Sequence, residues 1–272
     1  MAESLFDAQG RRIPYSGMRV HNQVSRQYFR LLQPAVDYAA IYARIVKHLC
    51  LSDPPVSADQ FAEVCTGILD GVRADAALAG LLCGVHVPFL CPQVSPESGW
   101  SEDLRPFLEA VNSAYVERFP EFDFINLCPG KPDSRAVLAE GSRYEQFESA
   151  RQVGPVAGFY FPNCLAEYDV ASQRRQMDTL PLHAGSATIV LSGVVDAASA
   201  LIGSPDLLWN DHKYPHHLCL SALEQPGDNI VYTFEAYGHN LRFRHRSIYL
   251  TPEVTQLSEQ WAGGLTMFVS LP

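Results

Sequence analysis

The second half of this 272-residue chain sets the tightest limit on its fold. From Gly154 onward, six runs are short and rich in β-branched or aromatic residues: VAGFYFP, SATIVLSGVV, HHLCLSAL, NIVYTFEAY, LRFRHRSIYL and LTMFVSLP. Glycine, proline or Asn/Asp clusters bound most of them, which is the pattern of strands separated by turns. Six strands at short spacing, with no helical run between them, predict an antiparallel sheet or a partly closed barrel. In the fifth run Arg242, Arg244 and Arg246 alternate with Phe243 and His245. The period of two in a strand puts those three arginines on one face.

The first half has the other period. Tyr38, Ile41, Tyr42, Ile45 and Leu49 fall on one face of a helix that Pro34 opens at its first turn. Ser52-Asp53-Pro54-Pro55 stops it. Ser57 with Gln60 forms a capping box for a second helix reaching Arg73, with Phe61, Val64, Ile68 and Val72 as its buried stripe. Asp75 caps a short apolar helix over 76–83. Ser101, Glu102 and Asp103 start another helix, whose regular part Pro106 delays and which Arg118 and Pro120 end. Residues 120–135 read as a connection and 134–152 as a weakly patterned helix. Residues 1–23 read as a polar arm, loose or packed on a partner subunit. The expected architecture is α+β in one domain, 1–272. N-terminal helices (about 24–152) pack on a C-terminal antiparallel β-sheet or partly closed barrel (about 154–272).

Composition excludes several functions. The formal net charge is −10 and the basic clusters are short and isolated, so nucleic acid is not an expected partner. The seven cysteines are odd in number and none has CxxC spacing, which fits reduced thiols in a cytoplasmic protein better than a disulfide framework or a zinc ribbon. The longest apolar run, 76–91, is broken by Gly80, Gly84, His86 and Pro88, so no membrane span is expected. No phosphate-binding glycine loop and no GxSxG occurs.

Two histidine groups suggest metal chemistry. Asp211, His212, His216 and His217 lie close in sequence, but Pro215 argues against a helix there, and adjacent His216 and His217 would point to opposite faces of a strand. We therefore expect no metal at that cluster. His183-Ala184-Gly185 resembles the HxG signature of non-haem iron, 2-oxoglutarate-dependent halogenases. That resemblance implies His239 or His245 as the distal ligand and Arg246 as the anchor of 2-oxoglutarate.

A third constellation needs no cofactor. Cys83 to Trp100, CGVHVPFLCPQVSPESGW, runs from an apolar stretch around His86 into a proline-fixed loop carrying Glu97 beside Trp100. Burial would keep His86 neutral. Arg73, ending its helix, can offer a planar fork to a substrate carboxylate. A carboxylate beside an aromatic ring suits proton transfer on a flat apolar substrate.

At Arg73, His86 and Glu97 the chain resembles the McbB-like microbial Pictet–Spenglerases, which build β-carbolines. The resemblance implies a cofactor-independent homodimer with Glu97 as the catalytic base and Arg73, His86 and Trp100 binding substrate. Its substrates would be L-tryptophan and a small oxo-aldehyde. The alternatives kept open are an iron- and 2-oxoglutarate-dependent oxygenase or halogenase centred on His183, and a non-catalytic small-molecule-binding protein.

Overall fold

The computed structural model describes residues 4–14, 29–95, 100–128, 136–211, 214–225, 230–247 and 261–272. It has an α+β fold in which strands and helices come from both halves of the chain. Residues 4–14 do not form an arm: Phe6 bridges Arg12, Leu5 N–H bonds Ala77 O, and Arg12 N–H bonds Cys164 O. Phe6 is buried, and its burial ties this turn to the protein's own core.

Helix α1 (Tyr38–His48) starts later than Pro34 because Asp37 caps it, its carboxylate accepting from Ala40 N–H. Proline has no side-chain acceptor to offer there. Helix α2 (Ala58–Ala74) has the expected Ser57–Gln60 capping box and buries Phe61, Cys65, Ile68, Leu69 and Val72. The segment after Asp75 is a 3-10 turn over Ala79–Cys83 and leads into strand β1 (Val87–Cys91). Helix α3 (Trp100–Arg118) begins at once and carries Pro106 inside it, at the cost of one backbone hydrogen bond. Short strands β2 (Phe124–Asn126) and β3 (Val137–Leu138) occupy the region expected to be a connection and a helix start, and α4 (Tyr144–Val153) begins only after them.

The second half continues with β4 (Val156–Phe161), α5 (Val170–Arg175), β5 (His183–Ala184) and β6 (Ala187–Leu191). Helix α6 (Val194–Gly203), β7 (His217–Cys219) and β8 (Leu223–Glu224) follow. The chain closes with β9 (Ile230–Tyr237), β10 (Asn240–Ser247), β11 (Trp261–Gly263) and β12 (Leu265–Ser270). Helix α6 corrects the expectation of an uninterrupted strand series. All ten of its residues are buried, so it is apolar on every side and shows no helical stripe.

Ten of the described strands form two open five-stranded sheets, neither closed into a barrel, and β3 pairs with β8 in a separate two-stranded sheet. The first, β1-β4-β12-β6-β5, is antiparallel throughout, and β1 pairs with β4 along its whole length. That pairing removes the expected boundary between a helical and a β-rich half. The second, β11-β7-β9-β10-β2, has parallel pairs at β11–β7 and β10–β2. Helices α1 and α6 pack on β1, α2 on β4, and α4 on β6 and β12. Gly158 makes the first sheet possible at its centre: a Cβ there would stand 2.0 Å from Met267 O. Gly238 and His239, with φ of 57° and 67°, make the two-residue turn between β9 and β10 that the right-handed twist of a hairpin favours. All seven cysteines are free, and Cys65, Cys91, Cys164 and Cys219 are buried. Among the described residues no helix is long and apolar enough to cross a membrane.

Candidate functional site

A cavity of about 690 Å³ opens where β1 begins. Its walls are the N-terminal turn, the segment Phe29–Gln33, the segment Leu82–His86, the turn after β4, and His216 just before β7. The volume falls within the roughly 300–1,000 Å³ typical of small-molecule sites.

His86 is held on both sides of its peptide by one residue. The Gln33 side chain accepts from His86 N–H at 2.9 Å and donates to His86 O at 2.9 Å. The ring Nδ1 lies 2.9 Å from Gly84 O. A carbonyl can only accept, so Nδ1 carries the proton and Nε2 keeps the lone pair. The rings of Phe159 and Phe161 stand 5.8 and 6.0 Å from the imidazole. Burial pushes the His86 pKa below its ordinary value, the Gly84 carbonyl partly opposes this, and the charge of Arg73 adds to it. His86 is therefore a neutral, single-tautomer imidazole at pH 7.

Another part of the cavity lining is built from residues that sequence reasoning did not assemble. Glu167 is buried and sits at φ 71°, a left-handed conformation uncommon for a residue with a Cβ. Its N–H bonds Trp261 O, and Arg11 Nη1 lies 3.7 Å from its carboxylate. Arg11 is in turn gripped by Asp7, through Nε at 3.2 Å and Nη2 at 2.9 Å from Oδ2. Asn163 Oδ1 is buried without a hydrogen-bond partner, and so is His216 Nδ1. The His216 ring is 6.1 Å from Phe29. Burial pushes its pKa down to about 4, with the neighbouring His217 and Arg11 adding to the effect.

His217 faces away, as strand alternation requires for adjacent residues. Its Nδ1 is 3.5 Å from Glu235 Oε2. Glu235 also accepts from Arg246 Nε at 2.7 Å and has Arg244 Nη1 at 3.7 Å. The register sets Arg242 opposite Glu235, Arg244 opposite Thr233 and Arg246 opposite Val231, so the arginine alternation of β10 does form one charged face. The adjacency of His216 and His217 was the sequence signal for this divergence. Nothing local marks Asn163 or Glu167, which reach the cavity only through the turn after β4.

The other singled-out residues lie elsewhere. Arg73 is exposed at the end of α2 and pairs with Asp70 at 2.7 Å; it is not among the residues lining the cavity. Trp100 is the first residue of α3. Glu97 and His212 lie outside the described residues. His86 precedes β1, whereas Val94 follows its far end, where Val94 N–H bonds Arg151 O. The strand between them spans about 17 Å. His183 is exposed on β5, with Nδ1 3.4 Å from Thr188 Oγ1. His239 stacks on Trp209 at 4.4 Å, and His245 Nδ1 lies 3.9 Å from Cys128 Sγ. Among the described residues no group of three or more His, Cys, Asp or Glu could hold a metal ion.

Comparison with models of protein families, with curated proteins and with solved structures finds no match.

Proposed function

We propose that the chain is a cofactor-independent condensing enzyme of the Pictet–Spengler type, joining L-tryptophan to a small oxo-aldehyde. One observation carries this reading. His86, neutral and fixed in orientation, forms part of the wall of a cavity of about 690 Å³ with aromatic rings behind it. That wall suits a flat aromatic substrate held beside a polar group. The amine of tryptophan adds to the aldehyde, and loss of water leaves an iminium cation. The indole attacks the iminium carbon and closes a six-membered ring. Glu97 is the base that accepts the proton leaving the indole, and its negative charge favours the cation before it. Confinement of both reactants in one cavity contributes on the order of 7 kcal/mol through orientation.

Arg73 is exposed, pairs with Asp70 and does not line the cavity, so the substrate-clamp role is not proposed for it. We further propose a homodimer. The iron reading centred on His183 has no observation in its favour.

The test is to incubate the purified protein with L-tryptophan and a small dicarbonyl aldehyde and to follow tetrahydro-β-carboline and β-carboline by mass and fluorescence. The expected result is product well above the spontaneous rate, with Glu97→Ala lowering turnover at least about 100-fold while the protein stays folded. Product at only the spontaneous rate sinks the reading.

A further inference from the structure

The part of the cavity lining formed by Asn163, Glu167 and His216 has a chemistry of its own. Burying a polar atom without a partner costs of order 1–3 kcal/mol, and most buried polar atoms in proteins are paired. Here two unpartnered atoms, Asn163 Oδ1 and His216 Nδ1, belong to the same cavity wall. His216 is only 8% exposed, so bulk water does not satisfy it. The charged groups of the wall are a buried carboxylate, Glu167, and two guanidiniums: Arg11, already engaged by Asp7 through two hydrogen bonds, and Arg30 beside Phe29 in the chain. Glu167 is held there by a left-handed backbone, a conformation that persists only where surrounding contacts enforce it.

A ligand that completes Asn163 Oδ1 must bring a hydrogen-bond donor, and His216 accepts one as well at Nδ1 in the tautomer that carries its proton on Nε2. An amide oxygen accepts and cannot donate. A carboxylate would leave Asn163 Oδ1 unsatisfied and would stand beside Glu167. A primary ammonium or amine brings two or three N–H groups from one small head. The aromatic surface nearby is Phe29, 6.1 Å from the His216 ring, and the imidazole of His86 lines the same cavity. We infer that this wall is an amine subsite: Asn163 Oδ1 and His216 Nδ1 accept from the primary amine of an aromatic amine or amino acid, with Glu167 supplying the nearby negative charge. The inference rests on the reading that substrate enters this cavity, and it assigns which end of the substrate lies where. The amine head meets the Asn163–His216 wall, and the ring lies toward His86. It also moves recognition of the amino-acid head away from Arg73, which is exposed and paired with Asp70.

Isothermal titration of the full-length protein with L-tryptophan, tryptamine and indole-3-propionate tests this. The three share the indole and differ in whether they carry an amine. L-Tryptophan and tryptamine are expected to bind at least about tenfold more tightly than indole-3-propionate. Asn163→Ala and His216→Leu are each expected to weaken the two amines about five- to tenfold and to leave indole-3-propionate unchanged. Equal affinity for all three ligands, no binding of the amines, or an equal loss for all three in the variants would overturn the inference. The wild-type selectivity requires no variant to fold. Amine selectivity without product from any aldehyde would retain the subsite and remove the condensation reading. Product formation with an unchanged KM for tryptophan in both variants would do the reverse.

Discussion

The first sheet and the cavity wall both bury polar side chains, and they treat them in opposite ways. Where α6 packs on the first sheet, Asp196 at the start of the helix is fully buried, and its oxygens are used. Oδ1 accepts from Tyr144 O–H at 2.7 Å and from Gly193 N–H at 3.0 Å, and Oδ2 accepts from Thr266 Oγ1. Thr266 in turn contacts Ser192 Oγ at 2.9 Å. Burial pushes the Asp196 pKa up to about 6, with the hydrogen bonds from Thr266 and Tyr144 acting against it. In the cavity wall, His216 Nδ1 and Asn163 Oδ1 are buried with nothing to pair with. A satisfied buried group fixes structure. An unsatisfied one on a cavity wall lowers the stability of the empty protein and leaves room for a ligand to supply what is missing.

The largest expected effect tests the satisfied side. Asp196→Ala strands the Tyr144, Thr266 and Gly193 donors in the core. At pH 5, where Asp196 is mostly protonated, urea denaturation should show a loss of about 3–5 kcal/mol. A loss under 1 kcal/mol would mean that the network is not a structural element.

The next effect separates the two regions by pH. Asp196 has a folded pKa above its unfolded one. Its proton-linked contribution is greatest below the unfolded value of 3.8 and is lost as pH rises through about 6. His216 and His217 have folded pKa values near 4, below the ordinary 6.5. For His217 the cause is burial, opposed by Glu235 and reinforced by Arg246 and Arg244. Their contributions are present above 6.5 and are lost as pH falls toward 4. Asp196 and the two histidines, of which only His216 lines the cavity, therefore oppose each other between about pH 4 and pH 6. Asp196→Asn removes the compensating side, so acid destabilisation over that range should steepen by up to about 3 kcal/mol, read from denaturation midpoints at several pH values. An unchanged pH profile would show that Asp196 does not titrate in this window.

The smallest effect tests the unsatisfied side. His216→Leu removes a buried, unpartnered nitrogen from the ligand-free protein. Stability should be unchanged or higher by up to about 1 kcal/mol, measured by thermal melting at pH 7.5. A loss above 2 kcal/mol would show that His216 is a structural group like Asp196, and the contrast between the regions would fail.

Much of the fold was legible where one face of an element is wet and the other dry. Helices α1 and α2, the Ser57–Gln60 box, strand β4 and the β9–β10 hairpin all show their period in the residues. The partner face of β10, with Arg244 and Arg246 beside Glu235, was legible for the same reason. Helix α6 was not, because a helix buried on all sides has no polar stripe to mark its period. The packing of residues 4–14 was also hidden, since a polar turn carrying one buried Phe6 resembles a loose arm. At the site, His86 was visible from its apolar setting and does form part of the cavity wall. Arg73 was visible for its helix end, where Asp70 engages it.

The sequence by itself determined the α+β composition, the amphipathic helices and the divergence of His216 from His217, because period and alternation are local properties of a chain. Only the tertiary structure decided that β1 pairs with β4 and that Asn163, Glu167 and His216 meet His86 around one cavity. The reason is physical: which strand satisfies which backbone, and which buried atom is left without a partner, depend on residues far apart in the chain, as Val87 is from Tyr160 and His86 from His216, and no local pattern encodes that meeting.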